Sequence, residues 1–185
     1  MVRLFRGKTP KINIDKDKDS SKSIASLEKI TINGLKHWVL IRGHNLENPL
    51  LLFLHGGPGS PEMGFAHKYE RNLEKHFIFV NWDQRGAGKT FSFRTPKESM
   101  NVEQFISDGH QLISYLLERF KKKKIVLVGH SWGSELGTLL VQRYPELFYT
   151  YIGIGQVVNT EINEQLSFEF TIREAERTKN KKALR

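Results

Sequence analysis

The chain has 185 residues, 38% of them apolar and 26% charged, with 29 basic against 20 acidic side chains and no cysteine. At about 150 residues per domain this holds one domain or one and the start of another; a sizeable core is possible, and repeat arrays and wholesale disorder are excluded. The missing thiols remove disulfides, thiolate metal sites and a cysteine nucleophile.

The formal charge of +9 sits largely in residues 1–29, 121–124 and 173–185. No aromatic-interleaved basic stripe accompanies it, so these runs read as solvated surface and no nucleic-acid partner is expected. The apolar runs 50–54 and 125–128 are far short of the roughly 18 residues that cross a bilayer. Residues 1–11 are basic but lead into Asp15, Asp17 and Asp19 instead of an apolar stretch, so neither a membrane span nor a cleaved secretory signal is expected, and cytoplasm is the default location.

In chain order, residues 1–25 are polar and aperiodic and read as a flexible arm, with structure starting near Leu27. Ile30-Thr31-Ile32 and the segment 37–41 flank Asn33-Gly34, the dipeptide best suited to a tight hairpin. Segments 50–54, 77–81 and 124–128 lack the alternation of half-wet strands and read as strands buried on both faces. Between the last two, Val102, Phe105, Ile106, Leu112, Ile113, Leu116, Leu117 and Phe120 follow a helical period, with Asn101 and Gln104 spaced as an N-cap and its reciprocal partner. A helix over 134–143 ending before Pro145, a strand over 148–154 and a charged helical segment over 160–184 complete the order. Strands alternating with helices predict an α/β fold with a mostly parallel sheet. No internal repeat is present.

Gly129-His130-Ser131-Trp132-Gly133 is a G-x-S-x-G between a buried strand and a helix, the setting of a nucleophile elbow. A sharp turn there lifts the Ser131 hydroxyl above the sheet, and glycines two residues to either side remove side chains that would collide. His55-Gly56-Gly57-Pro58-Gly59 follows the first buried strand, and such a loop can aim backbone N–H groups at a bound carbonyl. The candidate oxyanion donors are the N–H groups of Gly57 and Trp132. The third motif, Asp83-Gln84-Arg85-Gly86-Ala87-Gly88-Lys89-Thr90, ends like a phosphate-binding loop, but Asp83 stands where that pattern needs glycine and Phe91-Ser92-Phe93 is a poor helix start.

These three segments together resemble the proline iminopeptidase family of α/β-hydrolase serine peptidases, over roughly residues 27–156. The resemblance implies an α/β-hydrolase fold and release of an N-terminal residue, commonly proline, from a small peptide through an acyl-enzyme, without metal or cofactor; relatives of similar sequence hydrolyse other amides and esters. It places the nucleophile at Ser131 and the oxyanion donors at Gly57 and Trp132. The supporting loops contain His55, Gly56, Pro58 and Gly59, and Asp83, Gln84, Arg85 and Gly86; the elbow is completed by Gly129, His130 and Gly133. Thr90 replaces the family's usual serine. Epoxide hydrolases and haloalkane dehalogenases share the HG-x-P loop but carry aspartate at the elbow, where this chain has Ser131.

In this fold the acid and the histidine follow the serine in the chain. All seven histidines precede Ser131, and no aspartate follows Asp108. His130 adjoins the nucleophile and is directed away from it; His55 is read as tying down its loop; His110 and Asp108 are two apart on a helix and point in different directions. Acidic cap residues greet the substrate ammonium in the family, but no motif selects one among Glu161, Glu164, Glu169, Glu174 and Glu176. The chain therefore reads as a hydrolase fragment without activity of its own: arm 1–25, core part 26–157, and a helical segment 158–185 that opens a cap. A noncatalytic interaction protein and a nucleotide binder using Gly88 to Thr90 are the other classes.

Overall fold

The computed structural model describes residues 8–12 and 20–184; the remainder of the expected arm lies outside the described residues. Among the described residues, six strands form one sheet in the order β1-β2-β4-β3-β5-β6. β1 (Ile24–Ile32) and β2 (Leu35–Gly43) form the hairpin, turning at Asn33 and Gly34, both with positive φ. β1 starts at Ile24, ahead of the expected start, because its first residues pair with Arg42 and Gly43 of β2. Thr9 and Pro10 are also held: Arg42 Nη1 donates to Thr9 Oγ1 and to the Pro10 carbonyl, 2.6 Å each.

β3 (Leu50–Leu54), β4 (Ile78–Trp82), β5 (Ile125–His130) and β6 (Phe148–Ile154) run parallel, with β2 joining β4 antiparallel. Leu50, Leu52 and Leu54 enter the main core with Ile78, Val80 and Trp82, while Leu51 packs with Phe79 and Val128 on the opposite face. Two-sided burial explains their unbroken hydrophobicity. β6 forms one edge, and Tyr149, Ile152 and Ile154 are exposed on it.

Two short helices, α1 (Ala66–Tyr69) and α2 (Arg71–Glu74), lead from the loop after β3 to β4. The crossover helix α3 (Val102–Phe120) buries Phe105, Ile106, Leu112, Ile113 and Leu116. Asn101 caps it by accepting from Gln104 N at 2.9 Å, but the reciprocal half of the capping box is not made. Gln104 Nε2 instead donates forward to Asp108 Oδ1, because a fully buried carboxylate needs the donor more than an exposed helix end does. α4 (Trp132–Arg143) follows β5 directly and stops before Pro145, while α5 (Thr160–Arg177) buries Ala175 alone among its side chains. Among the described residues, no helix is long and apolar enough to cross a membrane.

Candidate active site

The bend between β5 and α4 places Ser131 at φ 51° and ψ −120°, a left-handed conformation that a side chain adopts at a cost of about 1–3 kcal/mol. Ser131 N donates to the Ile154 carbonyl of β6 at 2.9 Å, and the serine carbonyl accepts from Ser134 N at 2.7 Å, so both ends of the bend are tied. The flanking glycines are required by contact. A Cβ on Gly129 would stand 2.7 Å from the Gly133 carbonyl carbon, and one on Gly133 would collide with the Leu54 carbonyl and stand 2.8 Å from the His55 oxygen.

The loop after β3 lies against this bend. A Cβ on Gly56 would stand 3.2 Å from Ser131 Cβ and equally close to His130 Nδ1, so the loop and the elbow touch through bare backbone. Gly57 has φ +111°, and a Cβ there would press on the Gly59 and Ser60 amides, which fold back beneath it. Ser60 N closes the turn onto the Gly56 carbonyl at 3.1 Å. The peptide between Gly57 and Pro58 is cis.

His55 is buried and keeps its ring within this loop. Its Nε2 accepts from Gln84 N at 3.2 Å, which leaves Nδ1 to donate to the Gly56 carbonyl at 2.9 Å, and burial pushes its pKa down. Gln84 completes the brace: its Nε2 donates to the His55 carbonyl at 3.0 Å and its Oε1 accepts from Trp132 Nε1 at 3.0 Å. One glutamine therefore joins the loop after β3 to the first residue of α4. Trp132 also meets Phe105 edge-on, ring centroids 5.6 Å apart.

Asp83 and Arg85 are held by partners outside the elbow. Asp83 Oδ2 accepts from Lys89 N at 2.7 Å, while burial raises its pKa. Thr90 Oγ1 donates to the Asp83 carbonyl at 2.7 Å and accepts from Trp38 N at 2.9 Å, which is the use to which the hydroxyl is put here. Gly88–Thr90 form a single 3-10 turn, and Lys89 Nζ lies over the Trp38 ring at 4.8 Å. A Cβ on Gly88 would press on the Asp83 carboxylate, and one on Gly86 would stand 2.8 Å from Met100 Cε. Arg85 grips the buried Asp108 with two bonds, Nε to Oδ2 at 2.7 Å and Nη2 to Oδ1 at 2.9 Å.

His110 stacks on Tyr144, ring centroids 4.0 Å apart, while Asp108 is committed to Arg85. His130 is half-exposed with Nδ1 3.6 Å from Glu62 Oε1. His37 accepts from Trp82 Nε1 at 3.0 Å, and burial lowers its pKa to about 4. Among the described residues, no group of acidic and histidine side chains is arranged to hold a metal ion.

Sequence reasoning missed Glu62 and Glu70. Burial pushes Glu70 up to about 7 despite a 2.7 Å hydrogen bond from Asn81 Nδ2, with the charges of Glu62 and Glu74 adding to the rise. A carboxyl group raised above its ordinary 4.5 favours the folded state while protonated; that contribution is complete below about 4.5 and is lost as pH rises to about 7. Glu70→Gln is therefore expected to flatten the fall in melting temperature between pH 5 and 8. An unchanged slope in thermal melts would exclude Glu70 as its source.

A mostly parallel sheet in which the buried strand β5 turns sharply through a strained serine into a helix, beneath a glycine-rich loop, defines the α/β-hydrolase class. The family model described as "alpha/beta hydrolase fold" matches residues 49–182, and the chain belongs to that family. "Probable aminopeptidase YbaC" of Bacillus subtilis (strain 168) is 46% identical over 158 residues, covering 85% of this chain and 49% of the relative. Two solved structures share the fold. The proline iminopeptidase-related protein of Thermus thermophilus has a TM-score of 0.62 at 24% identity, over 74% of this chain and 46% of that one. Epoxide hydrolase VrEH1 of Vigna radiata has 0.57 at 26%, over 73% and 40%. The chain spans about half the length of these proteins or less.

Proposed function

We propose that these residues are the nucleophile half of a serine hydrolase acting on small peptides with a free N-terminus, residues 26–157 being core and 158–185 the opening of a cap. Ser131 Oγ attacks the scissile carbonyl and passes its proton to a histidine; the carbonyl oxygen becomes an oxyanion held by the N–H groups of Gly57 and Trp132. Collapse of that intermediate expels the amine, which takes the proton, and leaves an acyl group on Ser131 for water to remove. The histidine and its acid are supplied by polypeptide outside these 185 residues, and neither metal nor cofactor takes part.

The observation that carries this reading is the positive-φ serine between two glycines that tolerate no Cβ, with Gly56 packed directly against it. The aminopeptidase-named relative at 46% identity favours peptides over other acyl substrates. Serine at the elbow, in place of aspartate, separates the chain from epoxide hydrolases; small esters or amides are the second reading.

A fluorophosphonate probe tests the proposal on this chain and on a chimera that adds the part of the Bacillus subtilis relative left uncovered by the match. Weak labelling is expected for the chain alone, about 10²–10⁴-fold faster labelling for the chimera once a general base is present, and none after Ser131→Ala. A chimera that reacts no faster, or a Ser131→Ala variant that labels equally, overturns it.

A further inference from the structure

The two N–H groups assigned to the oxyanion sit on different segments, Gly57 on the loop after β3 and Trp132 at the start of α4. β3 and β5 stop pairing at Leu54 with Gly129, short of both. Past that rung the described residues show no direct hydrogen bond between residues 55–60 and residues 131–135. The link comes from a third segment. Gln84 stands two residues beyond β4, and its side chain reaches across the end of β3 to α4.

Gln84 is 1% exposed. Its backbone N donates to His55 Nε2 at 3.2 Å and its carbonyl accepts from Ala87 N at 3.0 Å, which fixes where the side chain starts. The terminal amide then uses both ends, Nε2 on the His55 carbonyl and Oε1 on Trp132 Nε1, each at 3.0 Å. Only this orientation satisfies both partners, since a carbonyl accepts and an indole N–H donates. The same pair of partners explains the residue type: an ionised glutamate has nothing to donate to the His55 carbonyl, and asparagine is one methylene shorter.

Backbone contact sets how near the loop and α4 can come, because a Cβ on Gly133 would stand 2.8 Å from the His55 oxygen. Contact alone does not stop them separating; the two bonds from Gln84 do. We infer that Gln84 is a positioning residue of the acyl-transfer reaction, its side-chain amide holding the Gly57 and Trp132 N–H groups at the separation that one oxyanion requires. It acts through the carbonyl two residues before Gly57 and through the indole of Trp132 itself. The inference rests on the serine-hydrolase reading above and adds to it the group that keeps its two donors together.

Gln84→Met keeps the length of the side chain and removes both of its bonds; Trp132→Phe removes the indole N–H and leaves the backbone N–H in place. The test is the rate at which a fluorophosphonate, whose phosphoryl oxygen enters the same hole, labels Ser131 of the 185-residue chain, followed by intact mass well below each variant's melting temperature. A misplacement of about 1 Å costs about 10²-fold, so each variant is expected to label about 10- to 100-fold more slowly. The double variant is expected to be no slower than Gln84→Met, because both changes break one link. In the chimera the same variants should lower kcat for a dipeptide amide and leave KM unchanged, as loss of an interaction made only in the transition state does. Folded variants that label at the native rate, a double variant slowed by the product of the two single effects, or a loss confined to KM overturn the inference and leave Ser131 as the nucleophile. A native chain and chimera in which Ser131 takes no label overturn both readings. Where Gln84→Met melts too low to assay, Trp132→Phe decides alone, since it cuts the link from the α4 end.

Discussion

Gly133→Ala is expected to destabilise the protein by about 3 kcal/mol, the upper end of what overpacking costs, or a fall of roughly 6–12 °C in melting temperature for a chain of this size. A side chain at most helix positions can be accommodated by a neighbouring rotamer. Here the added carbon meets the Leu54 carbonyl group and the His55 oxygen, all backbone at the end of the central strand β3. Relief requires β3 and α4 to separate, which carries Gly56 away from Ser131. Gly64→Ala is the control, since nothing lies within 4 Å of the carbon it adds. Thermal melts in which the two variants differ by less than about 2 °C would show that the contact yields more easily than backbone should.

Arg85→Met is expected to cost about 3–5 kcal/mol, the penalty for stripping a buried charge of its partner. Asp108 is fully buried, and Arg85 supplies two of its short hydrogen bonds; Asn33 Nδ2 and Gln104 Nε2 remain, both neutral donors. The double variant Arg85→Met, Asp108→Leu should recover most of the loss, because Asn33 is exposed and Gln104 half-exposed and both can turn to water. The cost should also shrink as pH falls toward 5. His37 Nε2 lies 3.7 Å from Asp108, and the Arg85 charge is one of the influences that hold His37 down to about 4. Removing it lets the imidazole take a proton and offset the orphaned carboxylate. Denaturant melts that place the double variant no higher than the single one would assign the loss to packing instead.

The nucleophile elbow was legible because its determinants are local: Gly129 and Gly133 mark where Cβ atoms cannot go, and the buried strand and helix on either side fix the bend at Ser131. The hairpin was legible for the same reason, since Asn33 and Gly34 both take positive φ. What stayed hidden depends on residues brought together across the chain. Gln84 reads as one letter of a loop motif, yet it ties His55 to Trp132, 29 and 48 residues away. Gln104 has the spacing of a capping partner, and only the burial of Asp108 diverts it. Glu62 belongs to no pattern, and it comes within 3.6 Å of His130 on β5 only because the fold places the two side by side. On α5, Ile162, Leu166, Phe168 and Phe170 all lie exposed.

The tip of the β1–β2 hairpin has a consequence for synthesis. Asn33 donates from its side chain to Ser107 and Asp108, and from its backbone to Gln111, so the turn is stitched to a helix made 74 to 78 residues later. At about 5–20 residues per second on a ribosome, the hairpin waits roughly 4–15 seconds for that partner. During this interval the Asn-Gly turn must hold register by its own twist, and translation speed through residues 34–111 decides how long the amino-terminal third of the sheet stands without its anchor.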